Sequence, residues 1–385
     1  MFFVKEKLFE KLNVLEEKYI NVWKNFCDIE SPTNFKEGVD KASNYIADVA
    51  KELGFEVEVF GQPVSGNVVV ITMNSGINKQ PICLSGHVDT VHPLGSYGNS
   101  PVKMDNEKIY GPGVCDCKGG IVSTIYAMEA LSTCGYNKRP VMLLLQSDEE
   151  VGSSISNKAT INYICEKSKD AVAFLNMEGT KIPHICIERK GIVNFLFEIE
   201  GVEAHSSKCA TEGQNAILEA AHKIIEIEKF KDADGLTCCV SKIGGGSAMN
   251  TVPGKCEFNV NVRFVNNEQY EYIKEKMQEI ADKKVLPDTK CKVTQKTFRN
   301  AMPVCDRNVE LYNNVNEICE KWGMEKLPLV MHTGGSDAAD VTASGIPCVD
   351  SLGVYGGGIH SPDEYALLGS LKESAKRVVA TVWEL

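Results

Sequence analysis

No apolar run in this 385-residue chain approaches the ~18–20 residues that a membrane-spanning helix needs. The N-terminal stretch MFFVKEKLFEKLNVLEEKY carries a charge every few residues and lacks the apolar centre of a signal peptide, so it reads as an amphipathic helix. Fifteen cysteines are present, yet no C-x-x-C pair occurs among them. Odd in number and scattered, they read as reduced, mostly buried thiols of an intracellular protein, and the expected location is cytoplasmic. Positive charge is in deficit. Forty-one Lys and Arg against 52 Asp and Glu leave a formal net charge of -11, and no basic stripe offsets it. Nucleic-acid backbones and anionic membrane surfaces are therefore poor partners. Internal repeats and low-complexity tracts are also missing.

The chain is too long for one ordinary core, and about two domains are expected. Its first half alternates helical and strand-like stretches. EGVDKASNYIADVAKELGF has helical spacing with Gly54 as its stop, and VEVF, NVVVITM and PICLSGHV read as strands. GGIVSTIYAMEALSTCG reads as a helix, RPVMLLLQS as a strand covered on both faces, and DAVAFLNM as another strand. Such alternation predicts an α/β domain whose mixed, largely parallel sheet is sandwiched by helices. Near residue 187 the pattern changes. RKGIVNFLFEIEGVEA, GQNAILEAAHKIIEIEKF, LTCCVSKIGG, KCEFNVNVRFV, NEQYEYIKEKMQEIADKK and KCKVTQKTF run β-α-β-β-α-β, the ferredoxin-like α+β order. ELYNNVNEICEKWG, LPLVMHT, GGSDAADVTASG and IPCVDSLGV then resume the first pattern. Residues 1–186 and 299–385 are expected to form one domain and 187–298 an inserted one.

Chemistry-bearing residues fall at corresponding places in the first pattern. His87 and Asp89 end the strand ICLSGHV, Glu149 and Glu150 follow VMLLLQS, and Glu178 follows VAFLNM. His360 lies in a Gly-rich loop, and Asp116 lies in GPGVCDCKGG before a helix. Carboxyl ends of strands gather on one edge of an open α/β sheet, so residues distant in sequence can converge there. Two histidines and three carboxylates would suit a pair of divalent metals, zinc first and manganese or cobalt next. Asp89, two residues from His87, could accept its second ring N–H. Each residue alone has a plainer use: an acidic run opens a helix, and Asp116 could be a cap. Chemistry alone does not separate Glu149 from Glu150, nor make Asp116 a bridge.

The matching is sharper for longer stretches. SGHVDTVHP (85–93), GPGVCDCKGG (111–120), LLLQSDEEVGS (143–153), MEG (177–179), GVEAHSSKCATEGQNAI (201–217), SAMNTVPGKCEFNVNVR (247–263), TGGSDAADV (333–341) and GIHSPDE (358–364) run in one order along nearly the whole chain. In this set the chain resembles the dinuclear zinc exopeptidase and deacylase family, which includes glutamate carboxypeptidase, acetylornithine deacetylase, succinyl-diaminopimelate desuccinylase, peptidase T and aminoacylase. The resemblance implies that His87 and Glu178 bind one metal, that Glu150 and His360 bind the other, and that Asp116 bridges them. It makes Glu149 the general base and later acid, Asp89 the residue orienting His87, and the inserted domain a lid and dimerisation domain of a homodimer. It assigns His205 to the oxyanion and Asn250 and Arg263 to the substrate, with Arg263 on a carboxylate. Gly334, Gly335 and Ser336, ahead of a helix with Asp337, could offer backbone N–H groups to a carboxylate, or simply form its cap.

The family often has proline where Ala210 stands. Glutamate at 178 fits the carboxypeptidase, deacetylase and desuccinylase branches better than the aminoacylase branch. Cys115 and Cys117 flank Asp116, where thiolates could compete for zinc, but neighbours on an extended loop point away from each other and no ligand role is expected of them. His92, His184, His222 and His332 are expected to be surface or packing residues. The implied reaction is metal-assisted hydrolysis of a small peptide, nearest to glutamate carboxypeptidase in its motifs. Removal of an acyl group from an N-acyl amino acid is the alternative, and a binding protein that kept the fold without catalysis is a third reading.

Overall fold

The computed structural model describes residues 2–233 and 235–385. These divide into two compact units, one of residues 1–187, 304–331 and 336–385, the other of residues 188–303 and 332–335. Among the described residues no helix is long and apolar enough to cross a membrane. All fifteen cysteines are free.

The first unit is built on a six-stranded sheet in the order Glu56–Phe60, Val68–Met73, Val141–Gln146, Ile82–His87, Ala173–Asn176, Cys348–Val349. The first two pairings are antiparallel and the other three parallel. Sequence and position agree. The central strands ICLSGH, VMLLLQ and AFLN are almost wholly buried, as strands covered on both faces must be. The edge strand EVEVF is half exposed and alternates charge with apolar residues.

Helices supply the cover. In Phe2–Cys27 the residues Leu8, Leu12, Leu15, Tyr19, Val22, Trp23 and Phe26 are buried, a three-and-four spacing that puts one stripe on the core. Met1, where the expected helix was read to begin, lies outside the described residues. Tyr19 stacks on Tyr126 of the Lys118–Thr133 helix with ring centres 4.7 Å apart. Gly54 takes φ +77° just past Lys36–Glu52, the left-handed stop expected of it. LPLVMHT makes isolated bridges, such as Ile185 with Leu329, and no named strand.

The second unit is a four-stranded antiparallel sheet in the order Thr237–Gly245, Lys255–Phe264, Gly191–Glu200, Lys290–Arg299. Helices Ala216–Ile227 and Asn267–Asp282 complete the ferredoxin-like arrangement. Val193, Phe195, Phe197 and Ile199 alternate inward and meet Phe258, Val260 and Ile273 in one core. Asn215 and Asn266 cap the two helices through their side chains. This unit extends past the expected end at 298, to 303, and takes in residues 332–335. Main-chain pairing and one side-chain contact explain the difference: Arg189 bridges both Met302 and His332, and the Arg263 guanidinium donates to the Thr333 carbonyl at 3.2 Å.

Candidate metal centre

Three adjacent parallel strands end together. His87 is in register with Gln146, and Ser85 with Asn176, so the segments beyond them leave the same sheet edge. His87 closes the first strand, the turn Glu149–Val151 follows the second, and Glu178 follows the third. Two further loops arrive from a small sheet in which Lys108–Tyr110 pairs with Tyr365–Leu367, and the latter with Gly356–Gly357. One loop carries Asp116 into the Lys118–Thr133 helix. The other carries His360, a non-glycine residue held at φ +63°.

Asp116 stands between two imidazoles. Its Oδ1 lies 3.0 Å from Nε2 of His87, and its Oδ2 lies 3.2 Å from Nε2 of His360. Nε2 of each imidazole also faces one further carboxylate: that of His87 faces Glu178 at 3.7 Å, and that of His360 faces Glu150 at 3.2 Å. One ligand atom from each of His87, Asp116 and Glu150 fits within a 4.8 Å span, as does one from each of His87, Cys117 and Glu178.

The charges are poorly balanced without added cations. Burial, and then the neighbouring charges of Asp116 and Glu149, push the Glu178 carboxyl up to about 8 and Glu150 up to about 7, against the pull of the histidines. Asp116 is buried too, but the two imidazoles hold it well below the usual carboxylate range. His360 is pushed up to about 10 by its contacts with Asp116 and Glu150. Burial pulls His87 down, and the acidic groups Cys117, Glu178 and Asp116 more than reverse it. Nitrogen and carboxylate oxygen donors that crowd one another in this way fit two divalent cations, which would relieve the repulsion.

Each group is held from behind. Nδ1 of His87 meets the Asp89 main-chain oxygen at 3.0 Å, while the Asp89 carboxylate is 3.5 Å away. That carboxylate is engaged elsewhere: it accepts from the Thr33 hydroxyl at 2.8 Å and from the amides of Glu149 and Glu150 at 3.1 and 3.2 Å. Asp89 thus ties the turn that carries Glu149 and Glu150 to His87. The Asp148 carboxylate accepts from Thr160 and from the Ser156 amide and fixes the other side of the turn. Gly179 lets the chain pass close under Asp116, since a Cβ there would sit 2.1 Å from the Cys115 carbonyl oxygen.

Two residues that carry no assigned role in the motif reading prove central to this scaffold. Glu364, 1 % exposed, accepts from the amides of Gly113, Cys115 and Asp116 at 3.1, 2.9 and 3.0 Å. His92 meets the same carboxylate at 3.1 Å and is buried, so it is a packing residue with a specific partner. The signal was a charged residue in the stretch GIHSPDE, but nothing in the sequence tied it to the loop at 113–116. Cys115 turns toward the Val354 carbonyl. Cys117, of which no ligand role was expected, places its sulfur within 4.8 Å of donor atoms of His87 and Glu178 and 3.3 Å from the Met177 carbonyl.

The remaining expected residues lie in or beside the second unit. The ribbon pairing Ala204–His205 with Thr251–Val252 brings His205 and Asn250 together, with the Ser206 amide on the Asn250 carbonyl at 2.8 Å. The His205 ring contacts Ser207, and both His205 and Asn250 are exposed. Nε of Arg263 donates to Asn261, and burial together with Arg299 lowers its pKa. The Gly334 carbonyl accepts from Arg189, and Gly335 lies against Arg299. Ser336, in the first unit, is buried. It caps Asp337–Ala343 through Ala338 and accepts from Asn176 at 2.9 Å. Its hydroxyl therefore serves the fold.

Residues 83–384 match the family described as Peptidase family M20/M25/M40. Carboxypeptidase G2 of a Pseudomonas species is 28 % identical over 361 residues, covering 92 % of this chain and 86 % of that protein. Succinyl-diaminopimelate desuccinylase of Rickettsia felis is 28 % identical over 282 residues, covering 68 % and 73 %. Among solved structures, aminopeptidase PepT of Bacillus cereus superposes with a TM-score of 0.79 at 22 % identity, over 96 % of this chain and 98 % of that one.

Proposed function

The chain belongs to peptidase family M20/M25/M40 and is a hydrolase of that family, and from this premise we propose that it cleaves the amide bond of a small peptide next to an amino acid with a free carboxylate. The observation that carries the reading is the placement of Asp116, with one oxygen toward His87 and the other toward His360. His87 and Glu178 would hold one divalent metal and His360 and Glu150 the other, with Asp116 shared. Zinc suits these donors best, and cobalt or manganese could replace it. When bound, such a pair polarises the amide carbonyl and makes a water acidic near neutral pH.

The chain's own groups supply the rest. Glu149, buried and close enough to raise both Glu150 and Glu178, takes the proton from the attacking water and returns it to the leaving amine. Asp89 orients the His87 ring and the Glu149 turn together. His205 would stabilise the oxyanion, Asn250 and the Gly334–Ser336 backbone would contact the substrate, and Arg263 would pair with its carboxylate. The second unit would serve as lid and as the contact of a homodimer. The free thiols fit a cytoplasmic setting.

Deacylation of N-acyl amino acids is the same chemistry with a different acyl side. A screen of metal-reconstituted protein against dipeptides and N-acyl amino acids, read by amine release, tests the function. Hydrolysis that persists after exhaustive chelation, or none with any metal, refutes it.

A further inference from the structure

Beside the metal centre the first unit has a cleft of about 310 Å³, inside the ~300–1,000 Å³ of ordinary small-molecule sites. Its walls come from the same loops that carry the catalytic groups. Val91 and Pro93 follow Asp89, Val151 and Ile155 follow Glu149, and Glu150 itself forms part of the lining. Val91 is 40 % and Val151 39 % exposed, and both line this one cleft. The other lining residues are Pro32, Thr33, Asn34 and Thr90, so the cleft holds no lysine, arginine or histidine.

We propose that this cleft is the subsite for the acyl side of the scissile amide and that it takes an uncharged, apolar acyl group larger than acetyl. The inference rests on the reading of the site as an amide hydrolase and narrows its substrate. Two arguments fix the side. The amine-side product carries a free carboxylate, which would lie here with no lysine, arginine or histidine in the lining to pair with it. An acyl group ending in a carboxylate, such as succinyl, lacks the same partner. An apolar acyl group would cover Val91, Val151 and Ile155. Because Glu150 is both wall and candidate metal ligand, a group seated here has its carbonyl end beside the centre.

The test uses metal-reconstituted protein and one amine-side amino acid, L-glutamate, carrying formyl, acetyl, butanoyl, hexanoyl, benzoyl or succinyl groups. The readout is the ratio of kcat/KM for hexanoyl to acetyl within each protein. An apolar pocket should give roughly tenfold or more, with succinyl falling below butanoyl. Ile155→Trp, which fills the cleft, should bring the ratio near unity. Val151→Thr, which changes shape little, should lower it several-fold. Calorimetric binding of acetate, hexanoate and succinate to the metal-loaded protein probes the cleft without turnover. Hexanoate bound more tightly than acetate or succinate, in a protein that hydrolyses nothing, would keep the subsite and overturn the hydrolase reading. A ratio near one in the unaltered protein, a ratio that Ile155→Trp leaves unchanged, or equal binding of acetate and hexanoate overturns the subsite.

Discussion

The Asp116 amide donates to Oε1 of Glu364 at 3.0 Å, so the residue that faces both imidazoles is held in place by a carboxylate four positions beyond His360. The same oxygen accepts from Cys115, and Oε2 accepts from Gly113 and meets His92. One buried side chain thus locks the loop of Asp116 to the loop of His360.

Glu364→Ala should leave three main-chain N–H groups buried without partners, at about 1–3 kcal/mol each. The expected result is a markedly lower unfolding midpoint and weaker metal retention. Elemental analysis after dialysis checks the second, and a normal metal content would refute the positioning role. Glu364→Gln, which keeps an acceptor, should fall between the two.

Glu149→Ala should lower turnover by roughly 10²–10⁴-fold, the usual worth of a positioned proton-transfer group. Metal content should stay normal, because the proposed mechanism gives Glu149 the proton and leaves the metals to His87, Asp116, Glu150, Glu178 and His360. Near-normal kcat would remove Glu149 from the mechanism.

Gly179→Ala would drive a methyl group against the Cys115 carbonyl. Relief requires the Asp116 loop or the Glu178 segment to move, at a cost of about 1–3 kcal/mol or more. Stability and metal affinity should fall together in titration calorimetry and thermal melts. An unchanged affinity would show that the contact is not tied to the site.

Without metal, the folded protein should lose stability as pH rises. Glu150 and Glu178 hold protons up to about 7 and about 8, whereas their unfolded counterparts release them near 4.5. Over that window the folded state binds more protons, so raising the pH favours unfolding. The His360 contribution has the same sign, being complete below about 6.5 and lost as pH rises through about 10. Urea midpoints of chelated protein should therefore be lower at pH 9 than at pH 6. Metal-loaded protein should show a smaller change, since cations replace the protons. A chelated protein that gains stability over this range would contradict the charge balance described here.

Much of this was legible in the sequence, for identifiable reasons. Periodicity marked the buried strands ICLSGH and VMLLLQ, because a strand covered on both faces has little choice but aliphatic residues. It marked the second unit as clearly, through the alternation of Val193, Phe195, Phe197 and Ile199. Motif order brought His87, Asp116, Glu150, Glu178 and His360 forward as a set. The supports stayed hidden. Glu364 acts on amides, which any sequence possesses, and the bonds from His87 and Asp89 run partly through main-chain atoms. The assignment of residues 332–335 to the second unit rests on the pairing of His332 with Arg189 and on arginine side chains that reach main-chain carbonyls, which any sequence possesses.

The antiparallel bridge between Arg189 and Met302 brings together the points where the chain leaves and rejoins the first unit. Its consequence is kinetic. Strand Cys348–Val349 must find Ala173–Asn176 across the whole intervening segment, and a search over so long a flexible loop is slow. If residues 188–303 collapse first, that loop shrinks to a short tether and the two halves of the host meet as near neighbours. Refolding speed of the host unit is then set by how early its guest becomes ordered.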